Sequence, residues 1–544
     1  MNMKTVHASD YGIFPNRKTD SGALIRTMLH KEGDDVYYLF DKGLYIISQF
    51  ESVQKDLYLS NTDDVNPKSI GVLLENFRNV IFDGCGSTFI AHGQMTVMAI
   101  LSCSNVTIKN CVIDWDIPLL AEGTIVDSSN CHVDLLIDNE RYPFTVRNNT
   151  LYFKGEDWEA PYSGFTEFDA ATGKVAYLKG DTFSSTSQQQ LESDLVRFYG
   201  TFSPIPVAGN FGVIRHSNRI HPCILIENSS NTELNTVTLH HAAGLGFLAQ
   251  FSNDLRFIGV DILPNSNAGR RALSGHDDGF HLSNNRGHIL IENCKFYGLM
   301  DDSVNLHGTS VAIIRTTDAH TLEGYFGNYR SNNFGLWAKC GDQIALLNRE
   351  TMLEEAVYTV TDFKLLNRTH FTISVKENIV LKPGLLYSAE NTSATASLTC
   401  KNNFFGSGRA RGLLVTTRQS VLIENNTFES SGSAILLAGD CNSWYECGCC
   451  RDVIIKNNEF RVCCNTSEYQ YCNGTISICP EIPKPNGAFH KNIKIENNRF
   501  YIYDTPILYA FSAADIIFDN NIIIYCNHFK RLIVKSSWTD KRNP

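Results

Sequence analysis

The chain has 544 residues, is 43% hydrophobic and 19% charged, and carries a formal net charge of −11. That length buries a large core and holds more than one domain. The acidic balance argues against nucleic acid as a partner, and no apolar run approaches the roughly 20 residues of a membrane span.

The first residues, MNMKTVHASDYG, lack the apolar core of a secretory signal. The expected compartment is the cytoplasm, or a secreted or periplasmic one with the leader already removed. Asp20 as N-cap, with Ala23, Leu24, Met28 and Leu29 at helical spacing, predicts one short amphipathic helix. It suits a lid on the open end of a solenoid, whose first strand would otherwise present an unpaired edge. Tyr37–Phe40 and Gly43–Ile47 read as the first strands.

From there a degenerate repeat runs to the C-terminus. Its copies include NVIFDGCGSTF (80–90), NVTIKNCVI (105–113), HILIENCKF (288–296), VLIENNTF (421–428), VIIKNNEF (453–460) and IKIENNRF (493–500). The turn position reads Gly84, Asn110, Asn235, Gly259, Asn293, Asn402, Asn425, Asn457, Asn497 and Asn520, with several steps of 23 or 24 residues. That period is too short for TPR, ankyrin or propeller repeats. The β-branched runs alternate with period two, so they are strands. Asn or Gly tolerates the left-handed backbone of a tight corner, and stacked Asn amides can bond from coil to coil.

Two steps break the period: Asn110 to Asn235 spans 125 residues and Asn293 to Asn402 spans 109. Each holds about one small domain of extra chain. VRNNTLYF and DAATGKVAYL in the first, and VAIIR, QIALLN and FTISV in the second, read as antiparallel strands. The fold expected is all-β: a right-handed parallel β-helix with two inserted small antiparallel β-barrels or sandwiches. Its segments are a cap and first coils over 1–115, an insertion over 116–215, central coils over 216–308, a second insertion over 309–397, and C-terminal coils over 398–544.

Seventeen cysteines are an odd number. Cys447, Cys449, Cys450, Cys463 and Cys464 cluster, but CxCC lacks the paired CxxC spacing of a zinc site. Buried or surface thiols are expected there, and no metal.

The stretch Ser274 to Gly308 carries two acidic doublets, Asp277–Asp278 and Asp301–Asp302. A shift of 24 residues lays Asp278 on Asp302, Phe280 on Val304, His281 on Asn305 and Leu282 on Leu306. On stacked coils about 4.8 Å apart, four carboxylates would share one corner. Such crowding costs free energy unless a cation, a shared proton or a task compensates. With Phe280, Leu282, Val304 and Leu306 pointing inward, parity turns His281, Ser303, Asn305 and His307 outward into a groove. Crowded aspartates supply both groups that inverting glycoside hydrolysis requires: one protonated carboxyl as acid and one carboxylate to activate water. A calcium site is the rival use. Arg270, Arg271, Arg409 and Arg411 keep a calcium-dependent uronate lyase open, and a non-catalytic glycan-binding solenoid is the third reading. A chelator would stop the lyase and not the hydrolase, and a binder would turn over nothing.

HDDGFH and MDDSVNLHG look like the Asp-Gly and Asp-Asp motifs of the polygalacturonases. GHDDGFHLSN through DDSVNLHGT, with WYE at 444–446 and ISICPEIP at 476–483, resembles glycoside hydrolase family 110, the α-1,3-galactosidases, over nearly the whole chain. The resemblance implies an inverting, metal-independent exo-hydrolase of terminal α-1,3-linked galactose on blood-group B or linear glycans, with no cofactor. By motif, Asp301 would be the general acid, and Asp278 and Asp302 would hold the water. Asp277 is placed with Asp301 by one register and displaced by Asp278 in the Asp-Gly motif; it is carried as a substrate-binding residue. Arg271, His281, Asn305, His307, Arg411, Trp444 and Glu481 complete the expected sugar-binding set, Trp444 by stacking on a galactose face. CGCC at 447–450 departs from the family pattern. The partner expected is a glycoconjugate with terminal α-galactose; the residues leave a homodimer open.

Overall fold

The computed structural model describes residues 3–216, 219–242, 244–266, 272–463, 468–503 and 505–526. Arg270, Arg271 and Cys464 lie outside the described residues. The alternating runs close into coils of three short strands. One coil consists of Phe280–Ser283, Arg286–Glu292 and Lys295–Phe296. The next begins at Val304, leaves for an insertion, and resumes at Ser397–Lys401 and Phe404–Phe405. Each strand pairs in parallel with its counterpart on the neighbouring coil. Repeated along the chain, this makes a right-handed parallel β-helix. Phe280 pairs with Val304, His281 with Asn305 and Leu282 with Leu306, the register that the 24-residue shift predicts.

Alternate side chains fill the interior. Phe280, Leu282, Ile289, Ile291 and Phe296 are fully buried, each contributing about 1.5–3 kcal/mol of apolar transfer. Phe296, Phe405, Phe428, Phe460 and Phe500 stack coil on coil, with centroids 5.1, 4.6, 5.1 and 4.6 Å apart.

Asn293, Asn402, Asn425, Asn457 and Asn497 take left-handed φ between 57° and 59°, as a tight corner requires. The amide ladder, however, runs through the residue that follows. Asn403, Asn426, Asn458, Asn498 and Asn521 pass Nδ2–H to Oδ1 at 3.0, 3.0, 3.1 and 3.0 Å. Two expected corners are displaced. Asn235 registers with Lys109, so Thr236 (φ 56°) takes the left-handed position opposite Asn110. At Gly84 a register shift between Asp83 and Ser87 moves it to Cys85 (φ 50°).

The cap helix spans Gly22–Glu32 and buries Ile25, Met28 and Leu29. The expected stripe is off by one residue: Leu24 is 42% exposed and Ile25 takes its place inside. Asp20 still serves the entry, accepting Ala23 N–H at 3.3 Å and Ser48 N–H at 2.7 Å.

Between Trp115 and Ile224 the chain leaves the solenoid to form a six-stranded antiparallel sheet and a three-stranded hairpin sheet. They pack around Phe144, Phe153, Phe165 and Phe198. The second excursion grows from one long strand, Val304–Asp318, whose first residues belong to the helix. With Thr321–Tyr325, His370–Val375, Glu354–Leu365, Gln343–Asn348 and Tyr387–Asn391 it closes a six-stranded barrel around Trp337, Phe371 and Ile373. The cysteines of the described residues carry free thiols. Cys447, Cys449 and Cys450 are buried, which pushes Cys449 up to about 11 and Cys450 up to about 12. Among the described residues no helix is long and apolar enough to cross a membrane.

Candidate active site

Each acidic doublet sits in the corner just before an interior-facing strand. Gly279 N–H donates to Asp302 O at 2.8 Å, and Ser303 N–H donates to Arg411 O at 3.1 Å. Asp278, Asp302 and Arg411 therefore occupy one position on three successive coils. The glycine of the Asp-Gly motif is structural: a Cβ at Gly279 would lie 2.5 Å from Ser303 O.

Four carboxylates face three guanidiniums. Arg219 Nη2 donates to Asp277 Oδ1 at 2.6 Å and to Asp301 Oδ2 at 2.9 Å, and Arg215 Nη2 reaches Asp277 Oδ1 at 2.8 Å. Arg411 clamps Asp302 through Nε (2.6 Å) and Nη2 (2.8 Å). Burial opposes ionisation of Asp277, but Arg219, His276 and Arg215 override it and hold the carboxyl well below the usual range. Burial opposes ionisation of Asp301 too; Arg219, Arg411 and Arg409 outweigh it and lower its pKa. Burial lifts Asp302 to about 6 against the pull of Arg411. Among the described residues no guanidinium bonds Asp278. Burial, then repulsion from Asp301 and Asp302, pushes it well above the carboxylate range. Of the four carboxyls, Asp278 is thus the one pushed furthest toward its protonated form by burial and by its neighbours.

One oxygen from each of Asp278, Asp301 and Asp302 lies within 4.8 Å of the other two. That spacing would admit a cation, but the compensating charge is already built in by Arg219 and Arg411. His281, His307 and Glu446 also converge; there the two imidazoles bond to each other at 2.9 Å rather than splaying toward a common point.

The trio opens into a cavity of about 610 Å³, also lined by Asn61, Arg219, Asn305, Arg411, Trp444, Glu446, Tyr469 and Glu481. Of the expected sugar-binding residues, Asn305, Arg411, Trp444 and Glu481 reach it. Asn305 Nδ2 donates to Glu446 Oε2 at 3.1 Å, and its buried Oδ1 has no partner among the described residues, leaving an acceptor for a hydroxyl. Trp444 is 40% exposed at the wall. Arg411 is committed to Asp302 and stacks on Tyr469, so it works through the carboxylate.

Three expectations are corrected. Asp277 is fully buried and absent from the cavity wall, because Arg215, Arg219 and His276 enclose it. His281 points outward as parity requires, yet it is fully buried. The segment around Ser60 crosses that face, Ser60 Oγ lying 3.1 Å from His281 Nε2, and His281 Nδ1 meets Asp278 Oδ2 at 2.8 Å. His307 lines an adjoining smaller cavity, with Ser60, Arg330, Trp444 and Glu446.

Sequence reasoning missed Arg219, Asn61, Tyr469 and Glu446. Glu446 lies within the WYE motif, where the tryptophan carries the stronger sugar-stacking signal. Tyr469 OH donates to Asp301 Oδ1 at 2.9 Å from a loop without periodic signal.

The family model for the GLAA-B beta-barrel domain I matches residues 121–211. An alpha-1,3-galactosidase B of Bacteroides thetaiotaomicron is 39% identical over 96% of this chain and 86% of its own length. An alpha-1,3-galactosidase B of Akkermansia muciniphila is 32% identical over 96% of this chain and 67% of its own length. Among solved structures, a Yersinia enterocolitica family 28 exopolygalacturonase aligns over 97% of this chain and 79% of that chain, at 12% identity and a TM-score of 0.38. Identity of this extent, across the solenoid and both insertions, makes the chain a glycoside hydrolase and a member of the α-1,3-galactosidase family, glycoside hydrolase family 110.

Proposed function

We propose that the protein releases terminal α-1,3-linked galactose from blood-group B or linear α-galactosyl glycans, as an exo-acting, inverting hydrolase. One observation carries the proposal: the carboxyls of Asp278, Asp301 and Asp302 converge on one cavity, with burial raising Asp278 and Asp302 while guanidiniums lower Asp301. The relatives' names supply the linkage. Asp301 is the most exposed of the three, 9% against 1% for Asp278 and Asp302. It stands nearest the mouth, where a leaving oxygen would need its proton. Asp278 and Asp302 lie deeper and would hold the attacking water.

In the free protein burial and repulsion favour the proton on Asp278, while Arg219 favours the ionised form of Asp301. The productive form, Asp301 protonated and Asp278 ionised, holds the same number of protons. A bell-shaped pH profile therefore reports the group as a whole and does not assign the acid. Of the arginines that keep a lyase open, Arg409 and Arg411 are each paired to a carboxylate, and Arg270 and Arg271 lie outside the described residues.

A retaining mechanism has an observation of its own. The oxygens lie within 4.8 Å, nearer the ~5–5.5 Å of retaining pairs than the ~6.5–9.5 Å of inverting ones. The test is incubation with a linear α-1,3-galactosyl oligosaccharide and with B trisaccharide, followed by NMR of the first galactose released. β-Galactose supports inversion, α-galactose the retaining route, and no release of galactose from either substrate ends the proposal.

A further inference from the structure

If Asp278 is the base, a reading taken from the proposal above, it must lose its resting proton before it can accept one from water. It must lose one again after every turnover. It is 1% exposed, and substrate would fill the cavity it faces. The way out lies behind it.

His307 Nδ1 lies 2.9 Å from Gly308 O, and a carbonyl only accepts, so Nδ1 carries a hydrogen. With no second hydrogen on it, His307 accepts at Nε2. The nitrogen facing it at 2.9 Å, His281 Nε2, must donate. His281 is held neutral by burial, with His307 and Arg219 adding to it, so its Nδ1 accepts. Asp278 Oδ2, 2.8 Å away, must supply the hydrogen. With a single hydrogen on His307, the hydrogen-bond chain thus puts a proton on Asp278.

The same chain can shift by one place. The Asp278 O–H bond breaks as N–H forms on His281 Nδ1; His281 Nε2–H breaks as N–H forms on His307 Nε2. No proton is gained or lost. Asp278 becomes a carboxylate and His307 an imidazolium, which faces Glu446 Oε1 at 3.6 Å. Glu446 stays anchored by Asn305. Ser60 Oγ is the remaining partner of His281, and Asp277 and Arg219 are the other charges that act on it. His307 lines the smaller cavity beside the first, where the proton passes to water.

We propose that His281 and His307 form a proton wire that empties Asp278 into the second cavity while the first is occupied by sugar. Both are positioning residues, acting on the reaction through Asp278. In His307→Gln, kcat should fall on the order of 10²-fold, the lower end of what a placed proton-transfer group contributes, with KM unchanged. The solvent isotope effect on kcat should rise, and added imidazole should restore kcat in a saturable way. A loss of kcat with neither the isotope effect nor the rescue would mean that His307 only packs, and would overturn the wire, as would an unchanged kcat. Independently of any substitution, ¹⁵N spectra of the histidine-labelled parent should show the Nε2–H tautomer at His281 and the Nδ1–H tautomer at His307. The opposite tautomer at His281 overturns the proposal. Asp278→Asn with azide keeps the two readings apart: rescue by azide upholds Asp278 as base whatever the wire does, and lack of rescue removes the base assignment itself.

Discussion

Replacing Asp301 by Asn tests the proposed acid directly. The carboxylate accepts from Arg219 Nη2 and Tyr469 OH, both at 2.9 Å, on different oxygens. Asn offers one acceptor and one NH₂, so one donor keeps its partner and the other meets a donor. The shape is kept, and Asp277 retains Arg215, Arg219 and His276, so the coils should stay folded. The chemical loss should lie on the order of 10³-fold in kcat on a galactosyl disaccharide, within the ~10²–10⁴ that a general acid contributes, or about 4 kcal/mol of barrier. A nitrophenyl leaving group departs without a proton, and on it the loss should shrink to about tenfold or less. Asp301 is also the first charge that raises Asp278 after burial. Its removal lowers the Asp278 pKa, so the acidic limb of the pH profile should move to lower pH. Kinetics on the two substrates, parent against variant, decide the matter. Equal losses on both would refute Asp301 as acid. A leaving-group dependence in Asp278→Asn instead would hand that role to Asp278.

Arg411→Lys should raise the Asp302 pKa above about 6, because a lysine replaces the two-point clamp with a single contact; the acidic limb of kcat/KM should then shift upward, and an unmoved limb would show that Asp302 does not titrate in catalysis. Asn458→Ala removes the acceptor of Asn426 N–H and Nδ2–H and the donor to Ile423 O, and should cost about 3 kcal/mol or more at ~1–3 per stranded buried group, read as a lowered melting temperature with unchanged KM. His221 Nε2 and His490 Nδ1 each accept a backbone N–H, and burial depresses both imidazoles to about 3. The unfolded chain therefore binds more protons between pH ~6.5 and about 3. Stability should be fully present above ~6.5 and lost as pH falls through that window, and His490→Gln should flatten the slope.

Much of the solenoid is legible because each coil repeats one constraint. Inward apolar alternation and a left-handed corner recur about every 24 residues, and a strand out of register would put its apolar face in water. The doublets inherit that register, so Asp278 over Asp302 follows from counting. Counting fails where local geometry adds a residue, as at Cys85 and Thr236, and where the cap helix turns Ile25 rather than Leu24 inward. It fails differently at His281. Parity states which way a side chain leaves a strand, not what lies over it. Here the non-repeating segment around Ser60 covers that face, and an expected sugar contact becomes a buried partner of Asp278. Arg219 had no signal at all, since it stands at the end of an insertion about 100 residues long, away from any repeat.

That placement gives the first insertion a part in the chemistry beyond shaping the cleft. Arg215 ends its last strand, Phe211–Arg215, and Arg219 follows on the return to the solenoid. Together they supply two of the three cations that balance the four aspartates. Among the described residues the solenoid's own coils contribute Arg411, with Arg409 acting on Asp301 from farther off. Without Arg215 and Arg219, Asp277 and Asp301 would be buried anions without a directly bonded guanidinium, a situation that costs several kcal/mol per ion and is relieved by protonation. Of the three carboxyls at the cavity, only Asp302, held by Arg411, would then keep its charge. The charge balance at the doublets is thus a property of the solenoid and the insertion together. An aspartate cluster of the same register on a bare β-helix would not be the same site.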